Sequence, residues 1–184
     1  FDGRMQRTTA KTDSGEFKRQ SDAFRHWVTE DGRSGYPAAA GRYHLYVSLA
    51  CPWAHRTIIV RTLKGLTEVI GMTVVDPIRD DRGWAFRNGP GHSLDTTNGF
   101  HFLSEAYRAT DPNYHGRVTV PVLWDTVTKR IVTNSDDDLM RIFNGEFNRF
   151  TTGRLDLYPA ALRPQIDEMN DFVYERVNDG VYRA

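Results

Sequence analysis

Cys51-Pro52-Trp53-Ala54-His55 is the stretch of this chain whose residue types and order could do covalent chemistry. Cys51 is the only cysteine among the 184 residues, so no disulfide framework can form within the chain. A lone cysteine is most often a small, inert, buried residue. Here, however, it falls where an extended segment gives way to a helix, a junction that a core cysteine does not need. Proline suits the first helical position, because its fixed φ fits the helix and its missing N–H is no loss there. Cys51 is therefore expected at a helix N-terminus, among unpaired N–H groups and the positive end of the macrodipole. That setting favours the thiolate, which is the nucleophile. The motif is a one-thiol version of the Cys-x-x-Cys redox turn, with Ala54 where a resolving cysteine would stand. Such a thiol can enter a mixed disulfide but needs an external thiol to leave it.

The elements that must position this cysteine can be read on either side of it. Tyr43-His44-Leu45-Tyr46-Val47 has the aromatic and β-branched character of a strand. The pattern predicts a helix over 54–64, with Ile58, Ile59 and Leu63 on one stripe and Gly65 ending it. A second strand is expected at Met72–Val75. Residues 76–101 then form a long polar insertion punctuated by Gly83, Gly89, Gly91 and Gly99, of a length that usually serves a site. A short helix is predicted over 104–110, stopped by Asp111-Pro112.

Val118–Asp125 and Arg130–Val132 read as a hairpin. Pro121 lies inside its first arm, which demands either an edge or bulge position or a cis Val120-Pro121 bond. A helix follows over 134–144, capped by Asn134 or Ser135. Asp136-Asp137-Asp138 in its first turn is read as dipole capping rather than a metal site. From Tyr158 the pattern turns helical, with Ile166, Met169, Phe172, Val173 and Val177 at spacings of three and four. One helix cannot bury its own apolar face.

The order is that of an α/β chain: a thioredoxin-like N-terminal domain (mixed sheet, βαβ-αββα) followed by the start of an all-α domain. The expected boundaries are an irregular N-terminal arm over 1–40, anchored by Phe17, Phe24 and Trp27, the thioredoxin-like domain over 41–150, and a linker and first helix of a truncated helical domain over 151–184.

Bulk properties narrow the classes. The chain has 24 basic and 24 acidic residues, a balance that offers nothing to nucleic acid. No stretch approaches a membrane span and no leader pattern is present. The six histidines show no paired metal-ligand spacing. Cysteine poverty fits a reducing compartment, and the cytoplasm is the expected location.

Several segments together are similar to the glutathionyl-hydroquinone reductases, the Xi class of glutathione transferases. They are Gly41–Ser48, Ala50–Thr57, Leu63-Lys64-Gly65-Leu66, Gly83-Trp84 with Phe86, and Gly116–Asp125. The resemblance covers nearly the whole chain. It implies a thioredoxin-like first domain, a helical second domain that lines the quinone pocket, and a homodimer. It also implies a reaction: the Cys51 thiolate attacks the sulfur of a glutathionyl-hydroquinone, hydroquinone leaves, and a second glutathione resolves the Cys51–glutathione disulfide. No bound metal, flavin or nicotinamide is implied, and the partners are a small-molecule thiol and its quinone conjugates.

In this reading Val120, before Pro121, offers its backbone to the cysteinyl part of the thiol. Trp84 packs on the bound glutathione and Arg117 pairs with its glycine carboxylate. Spacing alone makes Arg117 a surface or hairpin residue, whereas Trp84 sits in a Gly-rich loop that offers little core packing. Pro52, Trp53 and His55 surround the nucleophile, with His55 read as structural rather than as a base. Where the family reads Asn-Glu-Ser, this chain reads Asn134-Ser135-Asp136. The Glu and Ser hold the γ-glutamyl amino and carboxylate groups in that family. Losing one charge-assisted contact costs about 1.5–3 kcal/mol, and Asp136 would repel the carboxylate. Weak glutathione binding, or use of a thiol without a γ-glutamyl group such as mycothiol, is the expected consequence. Two other readings stand beside this one: a monothiol glutaredoxin-like deglutathionylase and a non-catalytic transferase-like scaffold.

Overall fold

The computed structural model describes residues 21–153 and 155–182, Tyr182 by its backbone alone. The first twenty positions of the expected N-terminal arm, Phe17 among them, lie outside the described residues. The chain divides into two compact units, one containing residues 22–155 and the other residues 156–184.

In the first unit, β1 (Tyr43–Val47), α1 (Pro52–Leu63) and β2 (Gly71–Val74) are followed by the insertion and α2 (Leu103–Thr110). Then come β3 (Val122–Asp125), β4 (Arg130–Thr133) and α3 (Asp136–Gly145). The sheet order is β2-β1-β3-β4. β1 runs parallel to β2, with Leu45 opposite Met72, and antiparallel to β3, with Leu45 opposite Leu123. β3 and β4 form the expected hairpin. This is the mixed sheet of a thioredoxin-like domain. The core gathers Leu45, Tyr46, Val122, Leu123, Trp124 and Ile131 from the strands against Tyr107 of α2 and Leu139, Ile142 and Phe143 of α3.

Two glycines have steric reasons. Gly65 ends α1 at φ 68°, a left-handed conformation open to glycine at no steric cost. Gly71 lies opposite His44, and a Cβ there would stand 2.5 Å from His44 Nδ1.

α1 turns a different face inward from the expected one. It buries Ala54, Thr57, Val60 and Arg61, while Ile59 is 44% and Leu63 55% exposed. The reason is Arg61. Its Nε donates to the Ile70 carbonyl at 2.8 Å and its Nη2 to the Thr67 carbonyl at 2.8 Å, so a cation replaces an apolar residue on the inner face.

The insertion is also more closely packed than its composition indicates. The Asp95 carboxylate accepts the Tyr46 hydroxyl at 3.1 Å and the backbone N–H groups of Thr97 (3.0 Å), Asn98 (3.2 Å) and Phe100 (3.2 Å). Trp84, Ala85 and Phe86 are buried. Residues 21–40 lack helix and regular strand but run along β4, with the His26 N–H donating to the Val132 carbonyl and the Asn134 N–H to the Phe24 carbonyl. They cover a sheet edge that would otherwise present open backbone groups.

The second unit holds α4 (Arg163–Val173), which continues as a wider π-type turn over Tyr174–Asn178. Pro164 stands in its first turn. Within the expected stripe Met169, Phe172 and Val177 are exposed. Among the described residues no helix is long and apolar enough to cross a membrane.

One ion pair closes the β3–β4 turn. Arg42 Nε and Nη2 donate to the two Asp125 oxygens at 2.9 and 2.7 Å, and Asp125 also accepts from Thr128 Oγ1 at 2.8 Å and the Val127 N–H at 3.0 Å. Burial pushes the Asp125 carboxyl up, but the hydrogen bonds and the Arg42 charge outweigh it and hold it below the ordinary value. The stabilisation is therefore complete above about pH 4 and fades as pH falls through the folded value. Asp125→Ala leaves Arg42 uncompensated and should cost about 3–5 kcal/mol in urea unfolding at pH 7. The penalty should shrink as the titration is repeated at lower pH.

Candidate active site

Cys51 is the N-cap of α1, with Pro52 at the first helical position. Its N–H donates to the Ser48 carbonyl at 3.1 Å, and its carbonyl accepts the His55 N–H at 3.1 Å, which fixes the turn between β1 and α1. The side chain is half-buried and makes no capping hydrogen bond within its own helix. Its Sγ lies 3.8 Å from the Val120 carbonyl oxygen, across a gap of 69 residues in sequence. The Val120-Pro121 bond is cis. Sequence reading thus located both halves of this pair, and the structure brings them together.

The backbone ahead of Val120 is held by side chains. The buried Tyr107 hydroxyl donates to the Thr119 carbonyl at 2.9 Å and lies 3.2 Å from the Thr119 N–H, which donates to it. Asn134 Nδ2 donates to Thr119 Oγ1 at 3.0 Å, while Asn134 Oδ1 accepts the Phe24 N–H at 2.9 Å. Burial pushes the Tyr107 phenol well above its ordinary value, so it stays protonated and can keep donating.

Ser135 and Asp136 occupy the start of α3. Ser135 is its N-cap, accepting the Asp138 N–H at 3.3 Å, and so it settles the choice between Asn134 and Ser135. Asp136 is 1% exposed and accepts a hydrogen bond from Arg56 Nη2. The same nitrogen lies 3.1 Å from Asp137 Oδ1. Asp138 is gripped by Arg25 through two hydrogen bonds of 2.8 and 2.5 Å. The three aspartates therefore do more than offset the helix dipole, because two of them pair with arginines from distant elements. Among the described residues no group of three His, Cys, Asp or Glu side chains is arranged to hold a metal ion.

The remaining predicted positions are placed as follows. Trp84 is 9% exposed, with the Arg79 guanidinium 5.0 Å from its ring, so a Gly-rich loop has after all packed its tryptophan. Arg117 is half-buried and its carbonyl accepts the Tyr114 hydroxyl at 2.7 Å. Trp53 is half-buried with the Arg56 guanidinium 5.3 Å from its ring, Pro121 is buried, and Pro52 and His55 are exposed. Sequence reasoning gave no role to Arg56 or Tyr107. A run of three acids called for counter-charges, but nothing local could say that one of them comes from the cysteine's own helix.

A thiol at a helix N-terminus, facing the carbonyl before a cis-proline on a mixed four-stranded sheet, defines a cysteine-type member of the thioredoxin-like class to which glutathione transferase N-terminal domains belong. Residues 50–139 match the family described as the glutathione S-transferase N-terminal domain. The chain is 47% identical over 181 residues to the glutathionyl-hydroquinone reductase YqjG of Escherichia coli, covering 95% of this chain and 55% of that protein. It is 43% identical over 174 residues to the glutathionyl-hydroquinone reductase PcpF of Sphingobium chlorophenolicum, covering 95% of this chain and 54% of that protein. The structure superposes on the glutathione transferase Xi of Phanerochaete chrysosporium with a TM-score of 0.86 at 47% identity, over 90% of this chain and 57% of that one. Glutathione-bound YqjG gives 0.85 at 48% identity, over 87% of this chain and 54% of that one. The chain belongs to the Xi-class glutathione transferases, the glutathionyl-hydroquinone reductase family, and spans about half the length of the curated relatives it matches.

Tyr107→Phe removes the hydroxyl that holds Thr119 while keeping the ring in the core. It should cost about 1 kcal/mol of stability, read from the urea midpoint. It should also raise the KM for thiol about fivefold with kcat little changed, because Val120 is then less firmly presented.

Proposed function

We propose that the polypeptide carrying this chain is a thiol-dependent reductase that removes glutathione from glutathionyl-hydroquinones through a Cys51 mixed disulfide. The observation that carries this reading is the placement of Cys51 Sγ at the N-terminus of α1, 3.8 Å from the Val120 carbonyl. The N–H groups of the first turn favour negative charge on sulfur, and the thiolate is the attacking form. The backbone of Val120 is within reach of the cysteinyl part of a bound thiol. The names of the similar proteins, and the glutathione bound in one of them, support glutathione as that thiol.

In the first step the Cys51 thiolate attacks the thioether sulfur. A sulfur–sulfur bond forms as the carbon–sulfur bond breaks. The electron pair leaves with the aromatic carbon, which takes a proton, and hydroquinone departs. A second glutathione, as thiolate, then attacks the mixed disulfide, giving glutathione disulfide and regenerating the Cys51 thiolate. The substrate carbon is reduced and two thiols are oxidised to one disulfide, so no further electron carrier is required.

In this reading Trp84 and Arg117 flank the glycine end of glutathione, and Ser135 and Asp136 its γ-glutamyl end. The working unit is a homodimer in the reducing cytoplasm, where a chain with one cysteine and an external thiol pool is suited to this chemistry.

Cys51→Ser in the native polypeptide should lower the rate of hydroquinone release by about three orders of magnitude or more. The far-ultraviolet dichroism should be unchanged. The assay is chromatography of glutathionyl-hydroquinone incubated with glutathione. Activity retained within tenfold would exclude Cys51 as the nucleophile.

A further inference from the structure

The departure at Ser135-Asp136 has an electrostatic answer in the fold. An acidic side chain beside the γ-glutamyl carboxylate of glutathione would repel it, and like charges brought together at a binding surface discriminate strongly against a ligand. Asp136 does not stand there alone. Its side chain is 1% exposed and accepts from Arg56 Nη2. Arg56 comes from α1, five residues after the nucleophile, and its guanidinium lies 5.3 Å from the Trp53 ring. Its Nε is buried with no hydrogen-bond partner among the described residues, so the group is oriented by its Nη2 contacts to Asp136 and, at 3.1 Å, Asp137.

We propose that Arg56 is a specificity-determining residue of the thiol subsite: by pairing with Asp136 it cancels the charge that would exclude an α-carboxylate, so that glutathione is accepted where the acidic residue alone would reject it. The proposal rests on the reading of Cys51 and the start of α3 as a glutathione site. It changes the expectation drawn from sequence. Asp136 takes the place of a serine hydroxyl in the family pattern, but as half of an internal ion pair. The argument for a thiol lacking the γ-glutamyl group, such as mycothiol, depended on an unpaired Asp136. The same ion pair ties the helix that begins at Cys51 to the start of α3, so charge cancellation and placement of the nucleophile share one side chain.

The test separates charge from structure by comparing two ligands and a rescue. In a Cys51→Ser background, which prevents disulfide formation, binding is measured by calorimetry. One ligand is glutathione. The other is an analogue whose γ-glutamyl group is replaced by 4-aminobutyryl, which lacks only the α-carboxylate. Arg56→Gln should weaken glutathione about tenfold or more and change the analogue less than about twofold. Arg56→Lys should keep glutathione within about threefold, since the cation remains. Adding Asp136→Ser to Arg56→Gln should restore glutathione binding, because the uncompensated carboxylate is then gone.

Equal weakening of both ligands, or no rescue in the double variant with a normal urea midpoint, would show a merely structural role and overturn the assignment. Absence of binding by either ligand to the Cys51→Ser parent would overturn the thiol reading, and the Arg56 assignment with it.

Discussion

The antiparallel pairing of β1 with β3 is the constraint on which the rest of the first unit depends. Tyr46, near the end of β1, is opposite Val122, at the start of β3. The chain leaving β1 reaches Cys51 within five residues, and the chain entering β3 has passed Val120 two residues earlier. Antiparallel register therefore brings the exit of one strand and the entrance of the other to the same end of the sheet. A parallel pairing would have carried the two to opposite ends. The nucleophile and the carbonyl it faces are neighbours because of strand direction, and local chemistry refines what topology has already brought together.

Two kinds of support hold that arrangement. Backbone bonds fix the Cys51 turn, since Ser48, Cys51 and His55 exchange hydrogen bonds as α1 starts. Side-chain bonds fix the other half, through Tyr107 on Thr119 and Asn134 on both Thr119 and the Phe24 N–H. Residues 21–40 thus contribute to the site indirectly, by holding the asparagine that holds the turn. Arg25 does the same for α3 through Asp138. Charges buried this way are stabilising only as complete pairs, which is why the start of α3 draws arginines from two separate elements.

What could be read from the sequence follows from how far apart the interacting residues are. β1, the Cys-Pro helix start, the Asp111-Pro112 stop and the Ser135 cap depend on neighbours within a turn, and these stand in the structure where the residue pattern put them. The cis-proline was one of two options that the strand pattern left open. The inner face of α1 was misjudged because Arg61 is buried by bonds to the Thr67 and Ile70 carbonyls, a reason invisible to hydrophobic spacing. The insertion looked open because its residues are polar, yet one carboxylate, Asp95, collects three of its N–H groups and a tyrosine hydroxyl. The Arg56–Asp136 pair joins residues 80 apart in sequence and could not be inferred from either segment. Trp84 shows the same limit, since its burial depends on Arg79 and on how the whole insertion folds back.

The central claim is that Cys51 takes glutathione from carbon to its own sulfur. Its most direct test is intact-mass spectrometry of the native polypeptide after a single turnover with a glutathionyl-hydroquinone in the absence of free glutathione. The account predicts one glutathione on Cys51 for each hydroquinone released, removed again by added glutathione with formation of its disulfide. Hydroquinone released without any adduct on Cys51, or an adduct lodged on another residue, would contradict it.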